Sequence, residues 1–232
     1  MPNWVRNEMQ IRGTDAQVQE VLESIRSQEY DGAIDFDRII PKPECIKKTP
    51  NSGREAREAE TYYRQLTAQG KDPIAVFRNG YRTGEMALQE TSWESWREKG
   101  GVNSPDYPFG DTRHKVSYEE LMLNYLTCMK ETGCVDWYDW CCEHWGTKWN
   151  ACEPTADGAF VTFDTAWSAP RPIFMALAKQ FPEVTFSVTS TNEDYAIPVT
   201  VYEYRYDPEK KEVEETLVEE YEQEYPDDDY ED

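Results

Sequence analysis

Two distant stretches of the chain show the same succession of patterns: a strand, an amphipathic helix and a second strand. Residues 4–40 contain the first succession and residues 158–189 the second, with a long insertion between them. Each strand alternates with a period of two, and each helix carries one apolar stripe at helical spacing. Because two β-α-β halves form a split βαβ arrangement, the pattern predicts an α+β, ferredoxin-like antiparallel sheet.

The first half begins with a strand over Trp4–Arg12, in which every second side chain is apolar except Asn7. Since Asn7 falls on the apolar side, it must find hydrogen-bond partners there or cost about 1–3 kcal/mol. A helix over Thr14–Ser27 follows, opened by a threonine that can form a capping box with Gln17. Ala33–Ile40 is then predicted to be the next strand.

The second half consists of a strand over Gly158–Thr165, a helix over Pro170–Phe181 and a strand over Val184–Thr189. We therefore expect a four-stranded sheet covered on one face by two helices. The helix side chains expected in its core are Val21, Leu22, Leu177 and Phe181.

The rest of the chain is predicted to form an insertion within this domain and an extension after it. The expected divisions are a ferredoxin-like domain over 1–202 (sheet and helices from 1–41 and 157–190, helical insertion from 42–156), a C-terminal hairpin over 203–218 and an acidic disordered tail over 219–232. Disorder is expected in the tail because it has too little apolar surface to pack.

The chain is strongly acidic, with a formal net charge of −22. Such a charge disfavours direct contact with nucleic acid and favours a basic protein as partner. No apolar run approaches the roughly 20 residues that span a bilayer, so no membrane contact is expected. The N-terminus also lacks the pattern of a signal peptide, which predicts a cytoplasmic protein with reduced thiols.

Four short motifs in the sequence resemble those of a known protein family. In chain order they are Met1-Pro2-Asn3-Trp4, Ile34-Asp35-Phe36-Asp37 leading to Ile39-Ile40-Pro41, Trp145-Gly146-Thr147-Lys148-Trp149-Asn150-Ala151, and Phe163-Asp164-Thr165-Ala166-Trp167-Ser168. Together they resemble the YubB-type ferredoxin-like family of phage and plasmid proteins. The resemblance implies the fold and an origin in a mobile element, and it implies no activity, cofactor or catalytic residue.

The sequence contains no Walker-type phosphate loop and no G-x-G-x-x-G, H-E-x-x-H or G-x-S-x-G motif, and no cofactor is expected. The weak candidates for a zinc site are Cys128, Cys134, Cys141 and His144. Since no pair of cysteines has C-x-x-C spacing, packing as small apolar side chains is the favoured interpretation. Asp35, Asp37 and Asp164 could meet in one sheet and hold magnesium, although exposed strand positions explain them as well.

The tryptophan-rich connection at residues 145–151 allows two interpretations. Its aromatic side chains could anchor the insertion on the sheet, which is the usual role of such residues. Alternatively, they could line a groove for a small ligand or a peptide. The candidate binding residues are Trp145, Lys148, Trp149, Asn150, Asp164 and Trp167.

These observations favour a non-enzymatic protein that acts by protein–protein interaction. The expected function is that of an accessory protein of a phage or mobile element. One form of this function is an acidic mimic of nucleic acid that inhibits a host or defence protein. The alternative is an enzyme or small-ligand-binding protein with a site near Trp145–Asn150. A third class, a nucleic-acid binder that stacks bases on its sheet, is opposed by the net charge.

Overall fold

In the computed structural model, the chain forms two separately packed units. The sheet unit combines Met1–Pro41 with Cys141–Asp232, and the helical unit comprises Lys42–Trp140. The structure describes residues 3–28, 32–49, 53–83, 107–109, 114–116 and 118–223.

Both units contain helices and strands within the described residues. The helices are α1 (Asp15–Ile25), α2 (Phe36–Ile39), α3 (Glu44–Lys47), α4 (Arg54–Ala68), α5 (Pro73–Thr83), α6 (Tyr118–Thr132), α7 (Trp137–His144) and α8 (Arg171–Gln180). The strands are β1 (Trp4–Arg12), β2 (Tyr107–Phe109), β3 (His114–Val116), β4 (Cys152–Asp157), β5 (Phe160–Ala166), β6 (Thr185–Asn192), β7 (Val199–Asp207) and β8 (Glu212–Tyr221).

The sheet unit is built on a six-stranded antiparallel sheet in the order β4-β5-β1-β6-β7-β8. Its first four positions have ferredoxin-like connectivity: β1 leads to α1, β4 and β5 form a hairpin, and α8 connects β5 to β6. The two strands that precede the helices, β1 and β5, therefore lie side by side in the centre. The predicted α+β, ferredoxin-like class is confirmed.

The predicted strand over Ala33–Ile40 is wrong, because these residues form an irregular segment and the short helix α2. The Asp35 carboxylate accepts a hydrogen bond from the backbone nitrogen of Asp37 at 2.9 Å and caps that helix. Phe36 and Ile39, three positions apart, are both buried. This spacing fits a helical turn as well as the alternation fits a strand.

The outer strand of the ferredoxin-like sheet is instead β4, which the prediction had placed inside the helical insertion. Most of its side chains are exposed, so it lacks the apolar alternation that marks β1 and β6. Glu153 has a positive φ of 47°, and the register shifts between Cys152 and Thr155. An exposed, bulged edge strand is hard to recognise from sequence.

Helix α1 begins as predicted, with the reciprocal hydrogen bonds of a capping box between Thr14 and Gln17. Its core stripe is Val18, Val21 and Ile25. Leu22, which was expected in the core, is only half-buried because it lies beside this stripe.

Helix α8 shows a similar difference. Ile173, Phe174, Leu177 and Ala178 are buried, as expected for Leu177. Phe181 is half-buried, contrary to the prediction, because it follows the last helical residue.

Asn7 meets the requirement that the sequence placed on it. Its side chain is fully buried, and its Nδ2 donates to the backbone oxygen of Val5 and to Thr165 Oγ1, both at 2.9 Å. Its Oδ1 accepts from Ser190 Oγ at 3.0 Å. The bonds with Thr165 and Ser190 join the central strands β1, β5 and β6, and all three bonds offset the cost of desolvating the amide.

The helical unit packs α4, α5 and α6 around a separate core, and β2 pairs with β3. Its buried residues are Ala56, Ala59, Tyr62, Leu66, Phe77, Leu121, Met122, Tyr125, Leu126, Met129 and Val135. The insertion is thus mainly helical, but the unit ends at Trp140, not at the expected residue 156. The last part of the expected insertion belongs to the sheet unit.

The C-terminal hairpin is longer than the predicted 203–218, since its strands are β7 and β8. Asp207 Oδ1 accepts hydrogen bonds from the backbone nitrogens of Glu209 and Lys210 and closes its turn. The expected tail overlaps this hairpin, because Glu219 to Tyr221 are still in β8. Residues 224–232 of the tail lie outside the described residues.

Candidate functional site

The connection after α7 and the turn after β5 are tied together at one end of the sheet. Thr147 Oγ1 donates to the backbone oxygen of Ala166 at 2.9 Å, and Ser168 Oγ donates to that of Gly146 at 2.6 Å. The backbone nitrogen of Trp167 donates to the oxygen of Asn3 at 2.8 Å. These bonds tie the two segments to each other and tie the turn after β5 to the residue before β1.

Two of the candidate binding residues have structural roles. Trp145 is 1% exposed, and its Nε1 donates to the backbone oxygen of Ile40 at 2.9 Å. Asn150 accepts from the backbone nitrogen of Phe36 at 2.8 Å and donates to the Asp35 carboxylate at 2.7 Å. Both side chains therefore fix the segment around α2.

Three other candidates meet at the surface, where they are joined by a residue that the sequence reasoning had not included. We call Trp4, Lys148, Trp149 and Trp167 the tryptophan patch. Trp149 is 37% exposed and Trp167 47% exposed, whereas Trp4 is half-buried. The rings of Trp4 and Trp149 lie 6.1 Å apart, centroid to centroid. The sequence signal for Trp4 was its place on the polar side of β1, where a tryptophan is unusual.

A cation sits on this patch. Lys148 Nζ lies 4.3 Å from the ring centroid of Trp149 and 5.1 Å from that of Trp167. Both distances are within the range of cation–π attraction. The patch therefore combines two accessible indole rings with an ammonium group, all carried by the two segments that the hydrogen bonds above hold in place.

The backbone of Trp167 has a φ of +69°, a left-handed conformation that is unfavourable for a bulky side chain. Such a conformation costs about 1–3 kcal/mol and persists only where the surrounding structure imposes it. Here the hydrogen bond from its own nitrogen to Asn3 and the bond from Thr165 Oγ1 to the oxygen of Ser168, at 2.9 Å, impose it. The strain leaves the Trp167 ring exposed and out of the core.

Asp164, the remaining candidate, lies half-buried on the polar face of the sheet. Its carboxylate is 3.3 Å from the guanidinium of Arg6, its partner across β1 and β5. Asp35 and Asp37, which were predicted to lie on another strand of the same sheet, belong instead to the α2 turn. Asp35 is occupied by the cap and by Asn150, so one of the two strands of the magnesium hypothesis, Ala33–Ile40, is not formed, whereas the strand of Asp164 is present as β5.

The cysteine candidates are divided between the units: Cys128 and Cys134 belong to the helical unit, and Cys141 and His144 to the sheet unit. All three thiols are buried. Burial raises the pKa of the Cys128 thiol well above its ordinary value, with a further increase from neighbouring Cys45. Cys128 is thus a neutral, poorly nucleophilic thiol at physiological pH. The zinc hypothesis remains a prediction.

A cavity of about 500 Å³ opens between the start of α8 and strands β6–β8. Its lining residues are Ala169, Arg171, Val188, Ser190, Thr200, Tyr202, Tyr204 and Glu215. Arg171 Nε donates to Glu215 Oε1 at 2.5 Å at this cavity. Burial raises the pKa of Tyr204 far above its ordinary value, and Glu215 adds to the shift, so the phenol stays protonated.

Comparison with known proteins agrees with the ferredoxin-like topology. A family model described as the ferredoxin-like domain in Api92-like protein matches residues 144–230. This part of the chain is similar to that domain. The matched region contains β4 to β8, α8, and Lys148, Trp149 and Trp167 of the patch.

One solved structure is also similar, the crystal structure of the protein api92 from Yersinia pseudotuberculosis. It is 11% identical in sequence, the match covers 94% of this chain and 99% of that one, and the TM-score is 0.41. No curated protein matches the chain.

Proposed function

We propose that this chain is a non-catalytic accessory protein of a phage or other mobile element and that it acts by binding another protein through the tryptophan patch. The observation that carries the proposal is the exposure of Trp149 and Trp167, at 37% and 47%, on segments fixed by hydrogen bonds. Tryptophan is the side chain most enriched among residues that dominate the energy of protein interfaces. The mobile-element origin is supported by the motifs that resemble the YubB-type family.

The strained backbone of Trp167 supports a role in binding. The exposed part of the Trp167 ring adds no buried apolar surface to the core, and the left-handed φ of +69° lowers the stability of the fold. Strained residues of this kind concentrate at functional sites, where the strain presents a side chain in the required position. A fixed aromatic side chain also loses little conformational entropy on binding.

The charge of the chain supports a basic partner. A net charge of −22 attracts basic surfaces over long range and repels phosphate backbones. The partner that we propose is a basic, nucleic-acid-binding protein of the bacterial host or its defences, met in the cytoplasm. The acidic surface would occupy the cleft in which that protein holds nucleic acid. Among the residues that the structure describes, no helix is long and apolar enough to cross a membrane.

Affinity capture from a bacterial lysate, with three forms of the protein compared, tests the proposal. The forms are the wild type, the double variant Trp149→Ser with Trp167→Ser, and the control Phe160→Ser, which removes another exposed aromatic ring (50% exposed) from β5. We expect the same basic protein to be retained by wild type and control and lost from the double variant. The melting temperatures of all three forms are measured alongside, because Trp149 also packs on Trp4 and its removal should lower the stability. Equal retention by all three forms would show that the patch is not the binding surface.

A second candidate function is the binding of a small ligand in the cavity beside α8. The observation that favours it is the combination of about 500 Å³ of space with tyrosine rings, hydroxyl groups and an ion pair. A thermal-shift screen of bacterial metabolites tests it. A ligand of this cavity should raise the melting temperature of the wild type and not that of a Thr200→Trp variant, in which the added ring fills the space.

A further inference from the structure

We infer that Trp149 and Trp167 form a cation site which the chain fills with its own Lys148, and that the partner binds by placing a lysine or arginine side chain there instead. This inference rests on the proposed function, because it names the chemistry of the partner group that enters the patch. The residues concerned are Lys148, Trp149 and Trp167. Glu193 is included because its carboxylate is hydrogen-bonded to the backbone of Trp4, which belongs to the same patch.

The geometry of the bound ammonium is the first argument. Lys148 Nζ is within 4.3 Å of one indole centroid and 5.1 Å of the other, so a single cation contacts both rings. Indole is the side chain whose ring face attracts cations most strongly, and pairs or cages of aromatic rings are used to recognise organic ammonium groups. The two rings thus already show which kind of group they accept.

The surroundings of the patch favour a positive ligand. The Glu193 carboxylate accepts a hydrogen bond from the backbone nitrogen of Trp4 at 2.8 Å, and the Trp4 ring lies 6.1 Å from that of Trp149. A carboxylate is therefore fixed next to the aromatic surface, in a chain whose net charge is −22. An incoming cation gains long-range attraction before contact and ring contacts after it.

Lys148 is suited to being displaced. It is half-buried and lies directly before exposed Trp149, and a lysine side chain regains rotamer freedom when its ammonium returns to water. While it occupies the rings it competes with any incoming cation. Because an exposed cation–π contact corresponds to about a five-fold equilibrium factor, this competition should weaken binding of an external cation by about five-fold.

The test uses two small probes that differ only in charge at the end of the side chain. Nα-acetyl-lysine amide carries the ammonium, and Nα-acetyl-norleucine amide is its uncharged counterpart. Binding is followed by nuclear magnetic resonance through the indole N–H signals of Trp149 and Trp167, assigned from single Trp→Leu variants. The variant Lys148→Met removes the competing ammonium and keeps an unbranched stem, and Lys148→Gln serves as a second replacement.

We expect Lys148→Met to bind the lysine probe about five-fold more tightly than the wild type, to ignore the norleucine probe, and to lose binding when Trp167→Leu is added. Equal binding of both probes would overturn the inference, as would binding that is no tighter in either Lys148 variant. Choline serves as a third probe. Binding of choline without the lysine probe would assign the site to small quaternary ammonium compounds and would overturn the assignment to a partner side chain.

The outcome is separable from that of the proposed function. If a protein partner is lost from the double tryptophan variant but the lysine probe does not bind, the interaction surface stands and the cation site fails. If the lysine probe binds as expected and no protein depends on the tryptophans, the cation site stands and the proposed function fails.

Discussion

At the scale of single residues, the position of the tryptophan patch depends on one close backbone approach. Gly146 has a φ of +76°, and a Cβ atom there would lie 2.7 Å from Cδ of Pro172 at the start of α8. Its carbonyl accepts the hydrogen bond from Ser168. Only glycine combines this backbone conformation with this separation. The segment that presents Lys148 and Trp149 therefore begins at a position where side chains are excluded twice, by conformation and by space.

Replacing Gly146 by alanine should destabilise the protein more than the same change at Gly158. Gly158 also has a positive φ, of +56°, but a Cβ there meets nothing within 4 Å. The Gly158→Ala variant should therefore lose about 1–2 kcal/mol of unfolding free energy, which is the cost of the left-handed conformation. Gly146→Ala should lose at least about 1 kcal/mol more because of the clash with Pro172. Urea denaturation of both variants measures the difference. Equal losses would show that the α8 start moves away without cost.

At the scale of elements, α4 carries a buried ionisable group in the core of the helical unit. Tyr62 is 5% exposed, and its ring packs edge-on against Phe77 with centroids 6.2 Å apart. Burial raises the pKa of Tyr62 to about 12, because the phenolate would lose its hydration. Tyr62 thus gives the helical unit a pH-dependent contribution to its stability.

We expect the free energy of unfolding to fall between about pH 10, where an unfolded tyrosine ionises, and about pH 12, where folded Tyr62 does. The sign follows from linkage: the raised folded pKa keeps the contribution intact below the unfolded value and removes it as the pH rises. The change is of the order of 2–3 kcal/mol for the two-unit difference. Denaturation of Tyr62→Phe at about pH 8 and about pH 11 should show a smaller pH dependence than the wild type.

The neighbouring residue supplies the control for this prediction. Tyr63→Phe makes the same chemical change one position along α4, at a half-buried site. If Tyr63→Phe reduces the alkaline loss as much as Tyr62→Phe does, burial of Tyr62 is not its cause.

At the scale of the whole molecule, negative charge extends beyond the last described strand. Gln223 Nε2 donates to the backbone oxygens of Asn192 at 2.9 Å and Ile197 at 2.8 Å, so ordered contacts continue past β8. Residues 224–232 add six acidic residues and no basic one. A deletion that tests the role of the acidic end must therefore begin after Gln223, because removing Glu219 to Tyr221 would also shorten β8.

Deleting residues 224–232 should slow association with the basic partner and weaken its dependence on salt. Charge attraction acts on the encounter over about 8–10 Å at physiological ionic strength, whereas dissociation depends on contacts at the interface. We expect the dissociation rate and the melting temperature to stay unchanged. Stopped-flow association at two salt concentrations measures the effect. A full-length variant with the six carboxylates changed to amides should behave like the deletion; unaltered on-rates in both would leave the tail as an aid to solubility.

The sequence alone determined the elements whose burial is regular. Strand β1, helices α1 and α8 and strand β6 each carry an apolar period that matches one secondary structure, and the need of Asn7 for buried partners followed from the same period. Local pattern is sufficient in these cases because each element buries one whole face. The ferredoxin-like class follows from their order along the chain.

Only the tertiary structure decided which segment completes the sheet and which tryptophan faces solvent. Strand β4 has exposed side chains, so its hydrogen bonds to β5 define it. Within the alternating Ala33–Ile40, residues Phe36–Ile39 are helical because Asp35 caps a turn there. Trp145 and Trp149 have the same chemistry and stand four positions apart. One is buried because Ile40 receives its indole hydrogen, and the other is exposed beside Trp4. Whether a segment is a strand, or a tryptophan is buried, depends here on contacts with distant parts of the chain, and a local sequence pattern does not contain that information.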